Sequence, residues 1–116
     1  MNYLFVGEKR SELAIKMGVT WKDGRLAAKQ LFDALDYSGI DPSVCKFTNI
    51  FENPDINLIQ HYSDKSCKRV VAMGHKVRKE LEKQGIPHIF IYHPATRGKI
   101  RKKELYCEHV KNKLNY

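Results

Sequence analysis

The chain has 116 residues, 42% of them hydrophobic, and a formal net charge of +8. Such a length suits one domain with a single core, and such a composition excludes a disordered tail. No apolar run approaches the roughly 20 residues that a membrane-spanning helix needs, and the first residues enter a strand-like segment where a leader peptide would stand.

In chain order, Tyr3-Leu4-Phe5-Val6 is a short apolar run closed by Gly7, the pattern of a buried strand. Ser11 to Met17 has room for a short helix. Between Arg25 and Ser38, Ala27, Leu31 and Leu35 recur at intervals of four, with Ala28 and Phe32 beside them. That is one helical stripe, ended by Gly39 as its C-terminal cap and by the turn pair Asp41-Pro42. Phe47 to Phe51 reads as the second strand, and Ile56 to Tyr62 offers another short helix. Arg69 to Met73 is the third strand, closed by Gly74, and it feeds a helix carrying Val77 and Leu81 that stops at Gly85. Ile89 to Tyr92 is the fourth strand. Leu105, Tyr106, Val110 and Leu114 mark a last amphipathic helix with a basic outer face.

Strands that are apolar throughout and alternate with helices imply a parallel sheet covered on both faces. Right-handed crossovers then give an α/β fold, a three-layer α/β/α sandwich whose four strands lie in the order 2-1-3-4. Residues 1–116 are expected to form it as a single domain. Its ligand crevice belongs at the switch point, between the first and third strands.

Charge is unevenly spread. Residues 97–116 carry seven basic and two acidic side chains, residues 65–96 the same, and residues 31–64 one basic and six acidic. A basic half on a folded domain is the electrostatic footprint of a polyanion partner, although a solvated face has the same composition. Cys45, Cys67 and Cys107 are widely spaced and odd in number. They read as reduced thiols of a cytoplasmic protein, with no metal and no cofactor expected.

The strand ends supply Gly7-Glu8-Lys9-Arg10, Thr48-Asn49, Gly74-His75 and His93-Pro94-Ala95, with Thr96, Arg97, Lys99 and Arg101 behind the last. Together they suggest a pocket for a base or nucleotide beside a phosphate-binding surface. Gly7 and Gly74 allow close approach to the backbone, as any tight strand-to-helix turn also requires. An asparagine at a buried strand end must satisfy one acceptor and two donors. The carboxamide of Asn49 either matches the amide edge of a pyrimidine or caps a turn. There is no Gly-x-Gly-x-x-Gly, no Gly-Lys-Ser/Thr and no serine in a nucleophile elbow, and the five histidines lack metal-ligand spacing.

An ordered set of short motifs spans nearly the whole chain. It runs Gly7-Glu8, then Asp23-Gly24-Arg25-Leu26-Ala27-Ala28-Lys29-Gln30-Leu31-Phe32, Gly39-Ile40-Asp41, Phe47-Thr48-Asn49, Val70-Val71-Ala72-Met73-Gly74 and His93-Pro94-Ala95. This set resembles the uracil-DNA glycosylase superfamily, most of all the branch whose first motif begins Gly-Glu and whose last reads His-Pro-Ser. The resemblance implies excision of uracil or another deaminated base from a nucleotide flipped out of DNA, single- or double-stranded, and the protein is expected to be a monomer. It implies that Asn49 reads the base edge and that His93 donates to the carbonyl oxygen gaining charge as the glycosidic bond breaks. Glu8 matches the acidic member of the first motif, and Gly74 lies at the base.

Some positions depart from that family. Lys9-Arg10-Ser11 stands where the family has an Ala-Pro-Gly or Asp-Pro turn, so no water-activating Asp or Asn follows Gly7. The phenylalanine that stacks on uracil has no counterpart near Arg25-Leu26, which leaves Trp21 or Phe51 to serve. The four cluster-binding cysteines of the nearest branch are missing. Two readings stay open, a monofunctional DNA glycosylase and a non-catalytic nucleic-acid- or nucleotide-binding module on the same fold. In both, Lys9, Arg10, Arg25, Arg97, Lys99, Arg101, Lys102 and Lys103 supply contacts to phosphate.

Because each neutralised phosphate releases counterions, DNA binding through these side chains must weaken steeply with salt. Reversing Arg101, Lys102 and Lys103 to glutamate should lower affinity and flatten the salt dependence without unfolding the domain. Fluorescence anisotropy across a salt series checks this, and unchanged affinity at low salt would remove the nucleic-acid partner.

Overall fold

A computed structural model describes residues 3–10, 12–18, 20–23, 27–63, 69–94 and 103–114. Its elements are β1 (Leu4–Gly7), α1 (Glu12–Met17), α2 (Ala27–Tyr37), β2 (Lys46–Asn49), α3 (Ile56–Tyr62), β3 (Val70–Met73), α4 (His75–Lys83), β4 (Ile89–Ile91) and α5 (Lys103–Leu114). The strands form one parallel sheet in the order β2-β1-β3-β4, the order expected from the alternating pattern. Every residue of the central strands β1 and β3 is buried, and both are apolar throughout. The edge strands differ. Lys46 of β2 is exposed, while Ile89 and Phe90 of β4 are half-buried.

The chain packs as two compact units, one from residues 1–9 and 43–92, the other from residues 10–42 and 93–116. The first contains the sheet with α3 and α4. Alternation along the strands sends Leu4, Val6, Val70 and Ala72 to one face. There they pack with Ile50, with Ile59 and Tyr62 of α3, and with Val77 and Leu81 of α4. Both helices thus cover the same face, as two right-handed crossovers stepping in one direction across a sheet require.

The second unit contains α1, α2 and α5, with α2 packed on α5. Ala28, Leu31, Ala34 and Leu35 form the buried stripe of α2, and Tyr106, Cys107, Val110 and Leu114 that of α5. Buried Ser38 is satisfied by donating to the Ala34 carbonyl at 2.8 Å. Tyr37 donates its hydroxyl to Glu108, and Lys111 lies over its ring at 5.2 Å. A Schellman motif ends α2, where Gly39 (φ +75°) and Ile40 donate to the carbonyls of Asp36 and Leu35.

Some local expectations shift. Strand β2 ends at Asn49 and not at Phe51, because the chain turns back and Glu52 bridges to Asn49. Leu105 lies 45% exposed, outside the apolar stripe of α5, where Cys107 takes the buried position beside Tyr106. Helix α1 forms, yet none of its residues is buried. Among the described residues no helix is long and apolar enough to cross a membrane.

Half-buried His109 on α5 has its pKa held below the usual 6.5, first by burial and then by the charge of Lys113. The unfolded chain therefore takes up this proton first as pH falls. The stability linked to His109 is intact above about pH 6.5 and is lost as pH drops through the lower folded-state pKa. Urea midpoints should fall between about pH 7.5 and about pH 5, and should fall less for His109→Gln.

Candidate functional site

A parallel sheet brings all its carboxyl ends to one edge, and in the first unit that edge collects Glu8, Asn49, Gly74 and Tyr92. Gly7 pairs directly with Asn49 across β1 and β2. Beyond the ladder, Ile50 and Phe51 donate to the carbonyls of Gly7 and Glu8 at 2.8 and 2.9 Å. These bonds hold the start of the β2–α3 loop against the end of β1.

The loop from Asn49 to Asp55 is tied down at both ends. Buried Thr48 accepts from the Asp55 amide through its hydroxyl at 3.0 Å. Asp55 in turn caps α3, its carboxylate accepting from the Leu58 amide at 3.0 Å. Asn53 completes the reversal with φ +47°, a conformation asparagine tolerates better than most residues. Within this loop the Asn49 carboxamide donates to Glu52 Oε1 at 3.4 Å. Phe51 is 50% exposed.

Gly74 links β3 to α4 within one residue at φ +100° and ψ 163°, a combination that only glycine adopts without strain. In the turn that follows, Lys76 Nζ lies 3.8 Å from Glu8 Oε1. Exposed His75 stacks on Phe90 with ring centroids 4.9 Å apart, and Tyr92 meets both rings edge-on.

The sequence-derived candidates thus divide. Glu8, Lys9, Asn49, Phe51 and Gly74 belong to the first unit, where Glu8 and Asn49 flank the ends of neighbouring strands. Arg10, Trp21, His93 and Lys103 belong to the second. Trp21 and His93, both half-buried, meet edge-to-face at 5.9 Å between centroids. Arg25, Arg97, Lys99, Arg101 and Lys102 lie outside the described residues. Glu52 and Lys76 were not singled out in the sequence. Each carried a weak signal, Glu52 in its three-residue spacing from Asn49 and Lys76 in the first turn after a strand-ending glycine.

This edge offers a carboxamide for a planar donor–acceptor group, a carboxylate beside an ammonium, and an exposed aromatic ring. Among the described residues no three His, Cys, Asp or Glu side chains are placed to hold a metal ion. No family model matches the chain, and no curated protein or solved structure matches it significantly.

Replacing Asn49 by alanine removes the long side-chain hydrogen bond to Glu52 at a half-buried position and no core volume. Asn49→Ala should lower stability by only about 0.5–1.5 kcal/mol while abolishing recognition of a base-containing ligand. Urea unfolding beside a binding titration checks both, and severe destabilisation with binding retained would make Asn49 a turn-former only.

Proposed function

We propose that this chain is a DNA glycosylase-like protein that binds DNA and excises uracil or another deaminated base from a flipped-out nucleotide. One observation carries the reading: the anchored carboxamide of Asn49 beside Gly7-Glu8 at the carboxyl edge of a 2-1-3-4 parallel sheet. The family-like motif order and the basic C-terminal half support it from the sequence.

In this reading the extruded base meets Asn49, with Phe51 against its face and Gly74 leaving room for it. Scission sends the glycosidic electron pair onto the base, whose carbonyl oxygen gains negative charge, and leaves an oxocarbenium-like sugar that water attacks, the proton released by that water neutralising the departed base anion through solvent. The resemblance assigns the donor to that oxygen to His93. A donor aimed at developing charge lowers the barrier more than it tightens ground-state binding. Glu8 offsets the positive charge on the sugar. Lys9, Arg10, Arg25, Arg97, Lys99, Arg101, Lys102 and Lys103 hold the flanking phosphates.

A second reading, a binding module without catalysis on the same fold, is favoured by the state of Glu8. Its carboxylate faces Lys76 at 3.8 Å, and Lys9-Arg10 follows it. One assay separates the two. Single- and double-stranded oligonucleotides containing uracil are incubated with the protein and treated with alkali, which cuts abasic sites. Scission confined to the uracil strand supports the enzyme, and binding without scission supports the module. For the enzyme, His93→Ala should slow single-turnover excision on the order of 100-fold while changing affinity for the abasic product much less. An unaltered rate would remove His93 from the chemistry.

A further inference from the structure

Glu52 has no part in the reading above, yet its carboxylate accepts from the Asn49 carboxamide. Its Oε1 accepts from Asn49 Nδ2 at 3.4 Å, and its own amide donates to the Asn49 carbonyl at 3.4 Å in an antiparallel bridge. Both residues are half-buried, in a loop closed by the Thr48–Asp55 hydrogen bond. At that length the side-chain bond is modest in strength. Its direction is not optional. A carboxylate can only accept, so the amide must turn its NH2 group toward Glu52. The flipped amide would set Oδ1 against Oε1, two oxygens with no proton between them.

We propose that Glu52 is a positioning residue that fixes which way the Asn49 carboxamide faces, and thereby selects a base edge presenting N–H beside C=O over the reverse order. This rests on the reading that Asn49 contacts the base. With the NH2 group held toward Glu52, Oδ1 and the second N–H keep one order along the amide. The imide edge of uracil matches it, its N3–H donating to Oδ1 and its O4 accepting from Nδ2. Cytosine presents an acceptor at N3 and donors at N4, so pairing with it requires the amide to flip and Oδ1 to face the carboxylate. Both the attraction to one base and the penalty on the other therefore pass through Glu52.

The test uses single-stranded oligonucleotides carrying one 2′-fluoro-2′-deoxyuridine or one 2′-fluoro-2′-deoxycytidine, in which the fluorine suppresses scission so that binding alone is read. The unaltered protein should prefer the uracil strand by about tenfold or more, the discrimination expected of one well-formed bidentate contact. In Glu52→Gln the neutral amide can present either its oxygen or its nitrogen to Asn49, so the ratio should move toward one, with Glu52→Ala doing the same. Thermal melting of each variant establishes that it is folded. A ratio that stays at its original value in both variants but collapses in Asn49→Ala would overturn the role of Glu52 and leave the base-reading role of Asn49 standing. No preference in the unaltered protein, together with no excision of uracil, would overturn both.

Discussion

Two fully buried parallel strands, Leu4–Gly7 and Val70–Met73, set the terms for everything else in this molecule. Each of their side chains lies between covered faces, where an unpartnered polar group would cost several kcal/mol. Function therefore cannot be carried along the strands and is displaced to their ends. It is there that the composition changes within one or two residues, from Val6 to Glu8, from Phe47 to Asn49 and from Met73 to His75. The abruptness of these changes is a packing consequence before it is a functional one.

The loop after β2 shows how a strand end becomes a defined site. Thr48 is buried because its hydroxyl has the Asp55 amide as a partner, and Asp55 is held in place because it also caps α3. Two short polar side chains thus anchor a reversal of half a dozen residues to a strand on one side and a helix on the other. Side chains carried by such a loop lose little freedom on meeting a ligand, and that freedom would otherwise be subtracted from affinity.

Much of the architecture was legible in the sequence. Short apolar runs ended by glycine gave β1 and β3, and the four-residue recurrence of Leu31 and Leu35 gave α2, because burial on both faces or on one stripe leaves a periodic trace. The Ile56–Tyr62 helix agrees to the residue, since Asp55 before it is a capping residue by chemistry. What the pattern misplaced depended on contacts across the chain. Phe51 continues the apolar run of β2, but β1 ends at Gly7, and the strand yields to a turn closed by Glu52. Leu105 fits a stripe in α5 as well as Cys107 does, and only the packing of α2 on α5 decides between them. The Glu8–Lys76 and Asn49–Glu52 pairs left almost no trace, because partners brought together by a turn or a crossover have no periodicity.

The two outer strands carry a consequence of a different kind. An exposed sheet edge is a template on which another chain can add a strand, and proteins that expose one tend to aggregate. Here β4 is only three residues long. Its central ring, Phe90, is covered by His75 stacked upon it and by the Arg78 guanidinium 5.2 Å from its centroid. At the opposite edge β2 presents exposed Lys46. A strand docking beside β2 would have to desolvate the Lys46 cation. A three-residue strand at one margin and an exposed lysine at the other are features that disfavour strand addition, whatever the carboxyl edge binds.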